Sequence, residues 1–251
     1  MELPTQAIIL AAGKGTRLGS LAATCPKPLV EVGGRALLDH VRHGLAKAGV
    51  RRAVVVVGHC AEQVEAHLRA HPVPGQAWKT VWQPVPQGTG QAVKLAVPAL
   101  ERGPAWITYA DIIVEPSEYR RMAEAFAGQV CDMLFAVVEV EDPHQGAAIY
   151  FDEEYRISDI IEKPKPNTSK THWNSAGIYI TQPSLFPHLN TILPSSRGEY
   201  ELPDAIKSLI AAGGDVRAFP LKGWWADVGR PQDVTRVEQM LRQMKEPSGK
   251  K

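Results

Sequence analysis

Ala7-Ile8-Ile9-Leu10-Ala11-Ala12-Gly13-Lys14-Gly15-Thr16-Arg17-Leu18 sets an unbroken apolar run directly before a polar, glycine-rich loop. An apolar run without alternation reads as a strand buried on both faces, as in a parallel sheet covered by helices. The chain beyond it repeats the theme. Residues 36–48 carry Leu37, Leu38, Val41 and Leu45 at helical spacing and stop at Gly49. Residues 53–57 form a second solid apolar strand ended by Gly58, followed by a helix over 61–70 and a strand over 78–82. A helix over 91–100, with Pro98 near its end, and a strand over 105–110 complete the first half. This alternation predicts an α/β three-layer sandwich with a mixed, mainly parallel central sheet. Ligands of such sheets sit beyond the carboxyl ends of the strands, so the loops after Leu10, Val57, Trp82 and Ala110 are expected to meet at one crevice.

The second half reads differently. Residues 132–140, 147–151, 156–161 and 173–180 are strand-like and closely spaced, as in a mixed or antiparallel part of a sheet, with helices over 203–212 and 231–244. No Ser/Gly-rich linker and no internal repeat divides the chain. Residues 1–245 are therefore read as a single domain whose second half forms a substrate wall, and 246–251 as a disordered polar tail.

Composition narrows the function classes. The chain is 44% apolar and 22% charged with a net charge of +1, an ordinary globular balance without the basic field that nucleic acid requires. Three scattered cysteines, Cys25, Cys60 and Cys131, fit a reducing compartment and carry no zinc or redox spacing. The first apolar run is too short for a membrane span or a signal peptide, so a cytoplasmic protein with no membrane partner is expected. The histidines, among them His40, His43, His67 and His71, show no paired metal pattern and read as solvated or core-edge residues. A homo-oligomer stays open.

The loop carries the first chemical signal. Two glycines let backbone approach a ligand closely, and successive amides can cup phosphate oxygens. Arg17 offers a planar fork for phosphate, while Lys14 and Lys27 add point charges. For a bare Gly-x-Gly, a solvated surface turn is an equal reading. A dinucleotide fingerprint needs glycine where Leu18 stands, and a Walker loop needs a Gly-Lys-Ser/Thr that is absent.

The stretch Leu10 to Leu18, followed by Pro26-Lys27-Pro28-Leu29, resembles the signature of the sugar-1-phosphate nucleotidyltransferases. Further along, Gln83 with Gln87-Gly88-Thr89 is similar to that family's base-reading segment. Glu162-Lys163-Pro164, Gly177-Ile178-Tyr179 and Trp225-Ala226-Asp227-Val228-Gly229 resemble three more of its motifs, in the family's order, so the likeness covers roughly residues 6 to 240. The resemblance implies a Rossmann-like fold of the nucleotide-diphospho-sugar transferase type. It implies transfer of a nucleotidyl group from UTP or dTTP to a sugar 1-phosphate, with glucose 1-phosphate as the default acceptor, giving an NDP-sugar and pyrophosphate.

The same resemblance assigns roles. Arg17, Lys27 and Lys163 become catalytic, and Asp111 and Asp227 become ligands of Mg2+, a hard cation that takes one or two carboxylates plus phosphate oxygens. Read alone, each aspartate is better explained as a cap or turn residue. Leu10, Ala12, Gly13, Lys14, Gly15, Thr16, Gln83, Gly88 and Thr89 are implied to hold the nucleotide, and Gly146, Glu162, Asn174 and Ser175 the sugar. Gln83 supplies a donor and an acceptor, which suits the imide edge of uracil or thymine. Relatives usually place asparagine two residues before the glycine of the Gly-Ile-Tyr motif; here Ser175 stands there with Asn174 beside it, and which of them meets the sugar stays open. Arg197 reads equally as a phosphate contact or a surface residue and is left outside the set. The rival readings are a non-catalytic nucleotide-binding regulatory relative and a cytidylyltransferase acting on another phosphomonoester such as phosphocholine.

Overall fold

The computed structural model describes residues 2–19, 21 and 25–245; the polar tail expected over 246–251 lies outside the described residues. The strands are β1 (Gln6–Leu10), β2 (Glu31–Val32), β3 (Arg35–Ala36), β4 (Arg52–Val57), β5 (Ala77–Trp82), β6 (Ala105–Tyr109), β7 (Ile112–Val114), β8 (Met133–Glu139), β9 (Ala147–Phe151), β10 (Ile157–Glu162), β11 (Trp173–Thr181), β12 (Val216–Pro220) and β13 (Trp225–Asp227). The helices are α1 (Leu37–Lys47), α2 (Ala61–Ala70), α3 (Thr89–Ala96), α4 (Pro116–Ala127), α5 (Leu202–Ala211) and α6 (Pro231–Lys245).

The main sheet runs β10-β9-β11-β6-β1-β4-β5, and β8 joins it by pairing with β11 and β12. β1 pairs in parallel with β4 and β6, and β5 with β4, whereas β11 runs antiparallel to β6, β8 and β9. The sheet is therefore mixed, parallel throughout its amino-terminal part, and the later strands extend it from the β6 edge.

β1 shows why its sequence lacks alternation. Ala7 and Ile9 enter a core shared with α1, α2 and α4, while Ile8 enters a second core shared with α3 and α5. Both faces are covered, so every position must be apolar. Burying each large aliphatic side chain contributes about 1.5–3 kcal/mol. A third, smaller core gathers Leu18, Val30, Val32, Leu37, Val228 and Val237. It clamps the end of the glycine-rich loop against α6 and the antiparallel β7–β13 ribbon.

Two helical readings are refined. The helix expected over 91–100 starts at Thr89 and ends at Ala96. The chain then tightens into a 3-10 turn, Val97–Ala99, because Pro98 cannot donate to an α-helical ladder. α4 has no counterpart in the sequence reading, although Tyr119, Met122, Ala123 and Phe126 fall on one buried face behind Pro116. His40, His43 and His67 are half-buried on α1 and α2, and His71 is exposed just beyond α2. His67 Nε2 is 2.7 Å from Asp39 Oδ2, and Asp39 Oδ1 accepts from fully buried Arg42 at 2.9 Å. Among the described residues, no helix is long and apolar enough to cross a membrane.

Candidate active site

The carboxyl ends of β1, β5 and β6 open onto a cavity of about 240 Å³, lined by Leu10, Ala12, Gly13, Gln83, Thr89 and Asp111 among others. A larger cavity of about 630 Å³ adjoins it and reaches Glu162, Lys163, Asn174, Ser175 and Asp227. Thr89, Tyr109, Asp111 and Glu199 line both. The loop after β4 does not line either cavity; Gly58 instead packs on Ala12, where a Cβ would stand 2.9 Å from the Ala12 carbonyl oxygen.

The loop Gly13 to Leu18 is shaped by its neighbours. Gly13 faces open space, with nothing within 4 Å of a built Cβ. Gly15 sits at φ +66°, and a Cβ there would come 2.7 Å from Lys27 Cβ. The second glycine thus makes room for the lysine. Leu18 is fully buried, and the 3-10 turn Thr16–Leu18 closes with Leu18 N donating to Gly15 O at 2.9 Å. This turn presents Arg17 beside Gly229, where a Cβ would lie 3.7 Å from the guanidinium carbon and 3.6 Å from Asp227 Oδ1. Lys14, Gly15 and Thr16 line neither cavity, whereas Arg17 and Lys27 do.

Asp111 and Asp227 meet through backbone pairing. Asp111 follows β6, Asp227 ends β13 opposite Ile112 of β7, and Val228 N donates to Asp111 O at 3.0 Å. Asp111 forms an ion pair with the buried Lys27 ammonium. Asp227 Oδ1 is buried without a hydrogen-bond partner. Burial, and then the Asp111 carboxylate, push the Asp227 carboxyl up to about 6, against the pull of Lys27 and Arg17. An orphaned, desolvated carboxylate oxygen beside a second carboxylate fits a hard divalent cation that completes its shell with phosphate oxygens and water. Among the described residues, no group of three or more His, Cys, Asp or Glu could hold a metal without such help.

Gln83 is buried, and its Nε2 donates to Gly88 O at 3.2 Å and to Gln91 Oε1 at 2.5 Å. The donor that the sequence reading offers to a base is thus engaged by the protein in this state. Gly88, at φ +104°, lies against Tyr200, whose carbonyl oxygen a Cβ would approach at 2.5 Å. Its lack of a side chain serves that packing as well as any ligand.

On the wall of the larger cavity, β10 ends at Glu162. Lys163 adopts φ +46°, held by its N–H donating to Gly146 O at 2.7 Å. Asn174 is buried and spends its amide on backbone: Oδ1 accepts from Ala147 N at 3.1 Å, and Nδ2 donates to Ser175 O at 2.8 Å. Ser175 Oγ is 3.0 Å from Tyr179 OH and accepts from Gly177 N at 3.3 Å. Gly146 leaves space for Asn174, since a Cβ there would overlap Asn174 Oδ1. Gly146→Ala is therefore expected to destabilise the fold by about 1–3 kcal/mol through overpacking. A urea melt checks this, and an unchanged midpoint would contradict the packing role.

Among the lining residues given no role from the sequence are Tyr109, Tyr179 (although it lies in the Gly-Ile-Tyr motif), Glu199 and Glu201. The tyrosines sit in strands and look like core. Tyr109 packs on Gly177, where a Cβ would stand 2.9 Å from its ring. Arg197, left outside the set, also lines the larger cavity, as does Trp225, which donates from Nε1 to Ala176 O at 2.9 Å. The cue for this group is the charged run Arg197 to Glu201 directly before α5.

Comparison with known proteins follows the same outline. The family model described as nucleotidyl transferase matches residues 6–244. A bifunctional protein GlmU of Methanococcus maripaludis is 32% identical over 230 residues, which cover 91% of this chain and 52% of that protein. The chain thus spans about half the length of the bifunctional relatives it matches. The UTP--glucose-1-phosphate uridylyltransferase AglF of Haloferax volcanii is 32% identical over 247 residues, with 95% of this chain and 97% of that protein covered. A solved UDP-glucose pyrophosphorylase complexed with UDP-glucose superposes with a TM-score of 0.86 at 21% identity, covering 96% of this chain and 100% of the other, a likeness of fold.

Proposed function

Because the chain belongs to the nucleotidyl transferase family, we propose that it transfers a uridylyl group from UTP to a sugar 1-phosphate, releasing pyrophosphate. The observation that carries this reading is the pair Asp111 and Asp227, with its orphaned Oδ1, set between the loop that bears Gly13 and Arg17 and the cavity wall of Glu162, Asn174 and Ser175. The relative matched along nearly its whole length is a UTP--glucose-1-phosphate uridylyltransferase, which favours UTP and glucose 1-phosphate. dTTP differs from UTP by one base methyl and lacks the 2′-hydroxyl; a pocket discriminates a methyl by only about 1–3 kcal/mol.

The acceptor phosphate is already ionised at neutral pH, so it attacks the α-phosphorus without a general base. The protein's task is then positioning and charge neutralisation. Arg17 and Lys27, which line the two cavities, supply the cations for the triphosphate and the leaving pyrophosphate in this reading. Lys163 holds the attacking phosphate in line, and Glu162 accepts hydrogen bonds from sugar hydroxyls. Mg2+ held by Asp111 and Asp227 would supply Lewis-acid neutralisation of phosphate oxygens.

Pyrophosphate release, measured with Mg2+ across ATP, CTP, GTP, UTP and dTTP and a panel of sugar 1-phosphates, tests the proposal. UTP with glucose 1-phosphate is expected to give the highest kcat/KM. Turnover only with CTP and a non-sugar phosphomonoester would replace it with the cytidylyltransferase reading. Nucleotide binding without turnover for any pair would favour a regulatory protein.

A further inference from the structure

The segment from Ser195 to Leu202 is stapled to the loop that follows Gln87. Tyr200 N donates to Gln87 O at 2.7 Å, Gly90 N to Tyr200 O at 2.8 Å, and Leu202 N to Thr89 Oγ1 at 3.0 Å. From this strap Arg197 reaches into the larger cavity. Its Nη2 lies 2.6 Å from Glu201 Oε1 and 3.5 Å from Glu162 Oε1. Glu201 is 5% exposed and also accepts from Ser195 Oγ at 3.1 Å. Glu199 approaches the outer edge of the same guanidinium at 3.9 Å. One planar cation thus meets three carboxylates: Glu201 anchored in the protein, Glu162 on the cavity wall and Glu199 at a longer distance.

The charges around Glu162 give this geometry a consequence. A carboxylate accepts hydroxyl hydrogen bonds at both oxygens only when ionised. Burial pushes the Glu162 carboxyl above its ordinary range; Lys163 pulls it down, Glu201 pushes it further up, and Arg197 pulls it down. The other ionisable groups around it are Tyr109 and Tyr179, kept neutral by burial, on β6 and β11. On α5, Asp204 lies near Glu201, and Lys207 pairs with Asp159 at 3.5 Å. Once Lys163 is engaged by the acceptor phosphate, Arg197 is the cation left beside Glu162.

Resting on the reading of Glu162 as the acceptor of sugar hydroxyls, we propose that Arg197 is a positioning residue that keeps Glu162 oriented and charged for the acceptor, with Glu201 as its anchor. The two partners then have opposite electrostatic effects on Glu162, and this separates the role from a merely structural one.

The test is the pH profile, from about pH 5 to 9, of kcat/KM for the sugar 1-phosphate. Arg197→Gln is expected to move the acid limb up by about one pH unit. The loss then approaches about tenfold on the acid side of the limb and is small at about pH 8.5, with KM for the nucleotide within about twofold of wild type. Glu201→Gln removes the like charge and keeps the cation, so the limb moves down. Arg197→Lys retains a point charge and falls between wild type and Arg197→Gln. Limbs that coincide with wild type, or that move the same way in both glutamine variants, overturn the inference. If Arg197→Gln fails to fold, the direction of the shift in Glu201→Gln decides alone. A wild-type protein that turns over no sugar 1-phosphate at all removes the proposed function as well, whereas unmoved limbs with turnover intact remove only the role of Arg197.

Discussion

Asp227→Asn is expected to lose roughly three orders of magnitude in nucleotidyl transfer, yet to melt at a higher temperature than wild type when no divalent ion is present. Both effects come from one atom. Oδ1 of Asp227 is buried with no hydrogen-bond partner, beside the Asp111 carboxylate. Burial and that neighbour raise its pKa to about 6. An acid with a raised pKa binds its proton more tightly in the fold than in the unfolded chain. The folded state is therefore favoured at low pH, and stability falls as pH climbs from about 4 toward about 6. At neutral pH the ionised group costs the metal-free fold on the order of 1–2 kcal/mol, which asparagine relieves. For a chain of this size that is a gain of about 2–8 °C, and it should vanish near pH 4. Thermal melts in a chelator at both pH values, set beside pyrophosphate-release assays with Mg2+, check the two halves together. Near-normal turnover would sink the metal role. A lower melting temperature at neutral pH would sink the electrostatic account.

Such a trade is expected where a site is built for a ligand rather than for itself. It also shows what a sequence can and cannot reveal. The apolar run of β1 was legible because both of its faces are covered, and this forbids polar residues at every position. Gly15 was legible as a required glycine, but the reason for it was not. The sequence reading invokes close approach of a ligand, whereas the Cβ it lacks would strike Lys27. The pairing of Arg197 with Glu162 joins residues far apart in the chain, and nothing local announces it. The different surroundings of Asn174 and Ser175 come from register. Asn174 lies opposite Ala148 and spends its amide on backbone, while Ser175 faces Tyr179 across a bulge that no periodicity predicts. Tyr109 and Tyr179 read as core because they are core, and only the placement of β11 against β6 makes the same rings a wall of the cavity.

The other large effect is expected at Lys27. Lys27→Met keeps most of the stem that packs over Gly15 and removes only the charge. Its kcat is expected to fall by about 10²–10³, the usual loss when one preorganised charge at a phosphoryl centre is deleted. Stability at neutral pH should fall too, by about 1–2 kcal/mol. Asp111 loses its ion-pair partner while it still faces Asp227, and its side chain is 24% exposed, so water softens the penalty. Acidification should restore that stability, because Asp227, whose carboxyl pKa is raised, takes up a proton and no longer faces Asp111 as a like charge. Adding Asp111→Asn to Lys27→Met should recover the stability at neutral pH without any activity, since it removes the unpaired charge and also a proposed metal ligand. Melts of the single and double variants across pH, alongside turnover, test the charge balance directly. A Lys27→Met protein as stable and active as wild type would mean that the Lys27–Asp111 pair serves neither the fold nor the reaction. Retained activity with lowered stability would assign it to the fold alone. Arg17, beside Asp227 at the same cavity, would then be left as the cation that meets the leaving pyrophosphate.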